Sequence, residues 1–151
     1  MKLYLVQHGI PKSEDEDPQR PLSQQGVTEV KAMAAYLASK SISVSSIYYS
    51  PKLRAKQTAE IFAEFLKPTK LSEDNNLKPL DEPGVWIKRI QNTVEDIMLI
   101  GHLPHLQRLA SELLINNSEK PLIAFRQAGV VCLENSSEGW LLKWALVPEL
   151  L

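Results

Sequence analysis

With 151 residues, a formal net charge of −1, 44% hydrophobic and 23% charged residues, the chain has the composition of an ordinary globular protein. This length suits one domain over 1–151, burying ~70% of the surface that the unfolded chain exposes. The near-neutral charge argues against nucleic acid or an anionic membrane as partner, and the single cysteine, Cys132, excludes an intramolecular disulfide or a multi-cysteine metal site.

The N-terminal apolar run, Leu3 to Val6, is too short for a signal-peptide core, and no stretch approaches the ~20 apolar residues of a membrane span. A cytoplasmic location is therefore expected. Residues 2–7 read as a buried strand that ends unusually, on Gln7, His8 and Gly9 in "YLVQHGIP". The acidic run "SEDEDP" at 13–18 reads as a solvated loop. A helix follows, with Ser23 as N-cap and Val27, Val30, Ala34 and Leu37 on its apolar face.

A second strand is expected at 46–49. A helix from about Lys52 to Leu66 comes next, burying Ala55, Ala59, Phe62 and Leu66. A weaker helix after Pro83 uses Ile87, Ile90 and Val94. The run at 97–100 repeats the opening pattern: an apolar strand ends on Gly101 and His102, so two of the chain's three histidines occupy equivalent places. The helix that begins at Pro104 buries Leu106, Leu109, Ala110 and Leu113. Runs at 129–134 and 140–147, separated by "NSSEG", predict a terminal antiparallel hairpin.

Alternating strands and helices predict a three-layer α/β fold: a mostly parallel sheet, helices on both faces and the C-terminal hairpin at one side. Right-handed crossovers bring the carboxyl ends of the parallel strands to one edge, where such sheets bind ligands. His8, Arg54 and His102 all leave that edge beside helix N-termini, which themselves favour anions. Two imidazoles and a guanidinium make a phosphate site: a neutral imidazole can attack phosphorus, and the guanidinium can grip two phosphate oxygens. Gly9 would let the backbone pass close to the ligand.

On the pieces "LVQHG", "RPLSQQG", "YYSPKLRAKQTA" and "IGHLP", spread in order from residue 5 to 104, the chain resembles the histidine phosphatase superfamily, the phosphoglycerate mutase-like proteins. The third piece is the most specific, with Ser50, Pro51, Arg54, Ala55, Gln57 and Thr58 matching "SPxxRAxQTA". The short length and "GHLPHLQRLASELL" are most similar to the small SixA-type protein phosphohistidine phosphatases. The resemblance implies that His8 is a nucleophile that forms a phosphohistidine, that Arg54 and His102 bind phosphate, and that neither metal nor other cofactor is needed. It also implies a phosphorylated protein as partner.

The departure from the family pattern is Gln7, where an arginine is usual. A charged hydrogen bond contributes ~1.5–3 kcal/mol against ~0.5–1.5 for a neutral one, so the exchange costs ~1–2 kcal/mol, roughly 10- to 30-fold in rate. Arg20, in "RPLS", or Lys12 could supply the missing charge. Gln7 also keeps open a non-catalytic phosphate-binding module, although a binder needs no nucleophile; a small-molecule phosphomonoesterase is the further alternative. Where many members carry a general-acid glutamate, this chain has Asn76, with Glu73, Asp74, Asp81 and Glu82 near it but out of register. A zinc pair of His102 and His105 lacks accompanying ligands, so His105 is expected to be a surface or packing residue. Trp86, Trp140 and Trp144 are expected to pack in the core or the hairpin, and Cys132 in the core.

Overall fold

A computed structural model describes residues 1–151. Its order is β1 (Lys2–Gln7), α1 (Gln24–Ser39), β2 (Ser46–Tyr49), α2 (Leu53–Leu66), β3 (Lys70–Glu73), α3 (Gly84–Gln91), β4 (Ile97–Gly101), α4 (His105–Ile115), β5 (Val130–Ser136) and β6 (Gly139–Leu146). The six strands form one sheet in the order β3-β2-β4-β1-β5-β6. The first four run parallel, while β5 is antiparallel to β1 and β6 to β5. The expected α/β architecture is therefore present.

Strand alternation divides the core between the two faces. Tyr4 and Val6 of β1, with Met98 and Ile100 of β4, pack against α1 and α2 through Val30, Met33, Ala59 and Phe62. Leu3, Leu5, Ile97 and Leu99 face the other way, toward Trp86 and Ile90 of α3 and Leu106 and Leu109 of α4. Central strands buried on both faces read as continuous apolar runs, which is why β1 and β4 stand out in the sequence. Cys132 is fully buried, Trp144 stacks on Tyr4 with ring centroids 5.9 Å apart, and Trp86 meets Tyr48 edge-on at 5.0 Å.

Ser23 caps α1 as expected, accepting the Gly26 N–H at 3.0 Å while its hydroxyl donates to the Ile10 carbonyl. Gly26 lets α1 press on the loop after β1, since a Cβ there would lie 2.2 Å from the Ile10 oxygen. Two expectations need correction. The weak helix stops at Gln91, leaving Val94 88% exposed outside the element it was expected to anchor. The strand β3, which the sequence reading did not contain, is a four-residue edge strand whose residues Lys70, Leu71 and Glu73 are exposed, so no burial pattern marks it. No helix is long and apolar enough to cross a membrane.

Candidate active site

The register of the parallel strands brings three strand ends level. Gln7 pairs with Gly101 and Tyr49 with Ile100, so His8, Ser50 and His102 emerge side by side. The backbone continues this alignment past the strands: the His8 N–H donates to the Gly101 carbonyl at 3.1 Å and the Ser50 N–H to the Ile100 carbonyl at 3.0 Å. The His8 and His102 rings then lie with centroids 4.9 Å apart and planes tilted by 57°.

Each imidazole is held by a different partner. His8 Nδ1 lies 2.7 Å from the carbonyl of Gly9. A carbonyl only accepts, so Nδ1 carries the proton and Nε2 keeps its lone pair. Arg54, in the first turn of α2, donates from Nε to that His8 Nε2 at 3.3 Å. His102 Nε2 meets the hydroxyl of Ser50 at 2.7 Å, and Ser50 is itself fully buried. The structure therefore gathers His8, Arg54 and His102 as the strand-end argument requires.

Both rings are nearly buried, and burial pushes their pKa values down, His8 to about 4 and His102 to about 3. The Gly9 carbonyl pulls His8 back upward, while Arg54 and Arg20 add to the downward push. Around His102, the neighbouring His8, Arg54 and Lys52 lower the value further. At neutral pH both imidazoles are uncharged. A ring with its Nδ1 proton tied to a carbonyl and its Nε2 lone pair beside a guanidinium is set to attack an anionic electrophile gripped by that arginine.

A network behind the site fixes these groups. Thr58 Oγ1 donates to the Arg54 carbonyl at 2.7 Å and accepts the Gly9 N–H at 3.0 Å, tying α2 to the loop after β1. Gln57 Oε1 accepts the Leu22 N–H at 2.7 Å, anchoring the "RPLS" segment to the same helix. The motif residues between Ala55 and Thr58 thus hold two loops in place. The Gly9 N–H is engaged by Thr58, and a Cβ would lie 2.7 Å from Val30 Cγ2 and 3.1 Å from Leu22 Cδ2, so its missing side chain makes room for α1.

An open cleft of about 350 Å³ adjoins Arg54, lined also by Arg20, Lys52, Leu53, Pro18, Gln19 and Glu14. Arg20 adopts a left-handed backbone (φ 48°) and donates from Nε to the Lys12 carbonyl at 3.3 Å. That bond aims its guanidinium at the cleft, whereas Lys12 is exposed and contributes only its backbone carbonyl to this arrangement. Lys52, not singled out in the sequence, completes the cationic lining; its signal was its place two residues before Arg54. Gln7 is half-buried, and its side-chain amide makes no hydrogen bond to the protein. The largest cavity, about 730 Å³, lies beside β2, β3 and α3 and contains no histidine.

The acidic segment after β3 is committed elsewhere. Asp74 pairs with Arg89 and accepts from Asn76, Asp81 accepts the Lys78 N–H at 2.8 Å, and Glu82 pairs with Arg108 at 3.3 Å. His105 is fully buried with neither ring nitrogen hydrogen-bonded, which corrects the surface half of its expected role. No group of three His, Cys, Asp or Glu side chains is placed to hold a metal ion.

Parallel strands that deliver two histidines to one edge of the sheet, beside an arginine in the first turn of α2, are an arrangement suited to phosphoryl transfer. The chain belongs to the histidine phosphatase superfamily (branch 1), whose family model matches residues 3–89, and it is accordingly a phosphatase. It is 27% identical to the phosphohistidine phosphatase SixA of Escherichia coli, over 98% of this chain and 94% of that protein. Among solved structures it resembles the protein histidine phosphatase SixA complexed with tungstate, with a TM-score of 0.85 and 24% identity over 98% of this chain and 97% of the other. A mycobacterial glucosyl-3-phosphoglycerate phosphatase complexed with VO3 shares the fold at a TM-score of 0.74 and 15% identity, over 95% and 97% of the two chains.

Proposed function

We propose that the chain hydrolyses phosphohistidine carried on a protein, with His8 as the nucleophile. His8 Nε2 attacks phosphorus as the bond to the substrate imidazole breaks; the phosphoryl group moves to His8, and the substrate ring, protonated from solvent, leaves as neutral imidazole. Arg54 leaves His8 Nε2 to hold the phosphoryl oxygens, and His102, oriented by Ser50, donates a second hydrogen bond to them. Water then attacks the phosphorus of phospho-His8, releasing inorganic phosphate and the free enzyme.

The observation that carries this reading is that Asp74, Asp81 and Glu82 are engaged by other partners, while an open cleft adjoins Arg54, which contacts the His8 nucleophile. An alkoxide leaves poorly unless it is protonated, whereas imidazole is a far better leaving group, so a chain with Asn76 in the usual place of the acid and the carboxylates after it engaged elsewhere suits a phosphoramidate. The cleft is open to solvent and suits a side chain presented by a large partner. The likeness to SixA over nearly the full length supports the same substrate class.

The test is a comparison of kcat/KM for a phosphohistidine protein, a phosphoserine peptide and a small sugar phosphate. Phosphohistidine should exceed phosphoserine by at least ~100-fold, the usual size of acid catalysis. Comparable values for the two would point instead to a small-molecule phosphomonoesterase, and no turnover of any of them to a phosphate-binding module.

A further inference from the structure

A phosphoryl group bound between His8 and His102 brings close to two negative charges into a site whose histidines are both neutral. Arg54 answers only one of them, and Gln7, at the end of β1, carries no charge. Three cations nevertheless line the cleft: Arg54, Arg20 and Lys52. Glu14 also lines the cleft, but none of the three cations is within 4 Å of a carboxylate, whereas the chain's other arginines, Arg89, Arg108 and Arg126, are all paired. A cationic group left without a counter-ion beside two others is held there at an electrostatic cost, which an anionic ligand would relieve.

The two flanking cations act on different histidines. Arg20 bears on His8 and on Arg54, whereas Lys52 bears on His102. Both line the same cleft as Arg54, the residue that donates to His8 Nε2. Arg20 is tethered through its Nε to the Lys12 carbonyl, while the Lys52 ammonium has no hydrogen-bond partner and sits on a flexible four-carbon stem. Lys52 also occupies the cap position of α2, at the helix end whose free N–H groups favour an anion.

We propose, building on the phosphatase reading above, that Lys52 is a phosphate-binding residue of this enzyme, swinging its ammonium onto the phosphoryl oxygens on the His102 side and supplying the second positive charge that Gln7 lacks. Its contribution depends on charge, so arginine should replace it and a neutral side chain of similar length should not. It should also be redundant with a cation introduced at position 7.

The experiment measures the Kd of orthovanadate, together with kcat/KM for a phosphohistidine protein, in wild type, Lys52→Met, Lys52→Arg, Lys56→Met and the double variant Lys52→Met/Gln7→Arg. Lys56 is one turn further along α2, paired with Glu60 at 4.0 Å, and controls for general surface charge. Lys52→Met should weaken vanadate binding and kcat/KM by about tenfold, the size of a lost charge-assisted contact. Lys52→Arg and the double variant should recover most of that loss, and Lys56→Met should stay within twofold of wild type. Vanadate affinity unchanged in Lys52→Met, or lowered equally in Lys56→Met, overturns the inference, as does a wild-type protein that binds no vanadate. A wild type that binds vanadate but turns over no phosphorylated substrate sinks the phosphatase reading alone, and the vanadate series still decides the role of Lys52.

Discussion

His8 and Arg54 are 46 residues apart in sequence, yet the Arg54 Nε–H points at the His8 Nε2 lone pair from 3.3 Å. The guanidinium thus marks the line along which an electrophile must approach the nucleophile. Replacing His8 with Ala should eliminate both turnover and any acid-labile phosphoenzyme, because it removes the ring nitrogen that Arg54 contacts. Phosphate incorporation from a labelled donor measures it. An Ala variant that is labelled and turns over like wild type assigns the nucleophile elsewhere.

Arg54→Ala should lower kcat/KM more than Arg20→Ala does. Arg54 reaches the nucleophile directly, whereas Arg20 lines the cleft from the loop before α1 and is partly occupied by the Lys12 carbonyl. A charged contact to the transferring group contributes ~1.5–3 kcal/mol, so the Arg54 loss should be roughly 10- to 100-fold, with Arg20 near the lower end. Steady-state kinetics on one phosphohistidine substrate rank the two, and the opposite order would make the loop arginine the main clamp.

Ser50 should matter more than its size suggests. Its buried hydroxyl is the partner of His102 Nε2, and Ser50→Ala leaves that nitrogen without one. An unsatisfied buried polar atom costs ~1–3 kcal/mol, and the His102 ring also loses what fixes its orientation. Thermal unfolding should show the destabilisation and kinetics a reduced kcat. A variant with native stability and rate would mean that His102 is held by packing alone.

The parts of this design that were legible in the sequence are those written locally. Ser23 before an amphipathic run, apolar β1 and β4 ending on His8 and His102, and the dense "SPKLRAKQTA" each state their structure within a dozen residues. What stayed hidden depends on distant partners. The strand β3 exists because β2 offers it a parallel edge, not because Lys70–Glu73 has a strand pattern of its own. Val94 has helical spacing from Ile90, but the helix had already ended at Gln91. The crowding at Gly9 comes from Val30 and Leu22, and the cleft-facing place of Lys52 requires the Arg20 loop to be folded beside it.

Gly26→Ala tests the packing of α1 on the loop that carries Ile10. The new Cβ would meet a backbone oxygen at 2.2 Å, which a rotamer change cannot relieve. Overpacking of this kind costs ~1–3 kcal/mol, which for a chain of this size lowers Tm by roughly 2–12 °C. The same shift should reduce activity, since Ile10 follows His8 by two residues. A thermal scan showing no loss would mean that the loop moves freely away from the helix.

Stability should rise with pH between about 5 and 6.5, on account of the buried histidines. In the unfolded chain each has the ordinary pKa near 6.5, whereas burial holds His8 at about 4 and His102 at about 3, with His105 lowered as well. At pH 5 the unfolded state therefore binds protons that the folded state does not, so lowering the pH favours unfolding. His8 and His102 each contribute a slope approaching ~1.4 kcal/mol per pH unit near pH 5, which falls to roughly half of that at pH 6.5 and fades above it as the unfolded histidines also become neutral. Carboxylates such as Glu29, whose pKa is lowered mainly by its bond to Arg126, lose their contribution only as the pH falls below the ordinary carboxylate range. The interval from 5 to 6.5 thus isolates the histidines. Chemical denaturation across it should give a positive slope in wild type and a smaller one, by about one proton, in His8→Gln. A flat profile in wild type would mean that the rings take up protons while folded as readily as when unfolded, and that burial does not hold His8 neutral below pH 6.5.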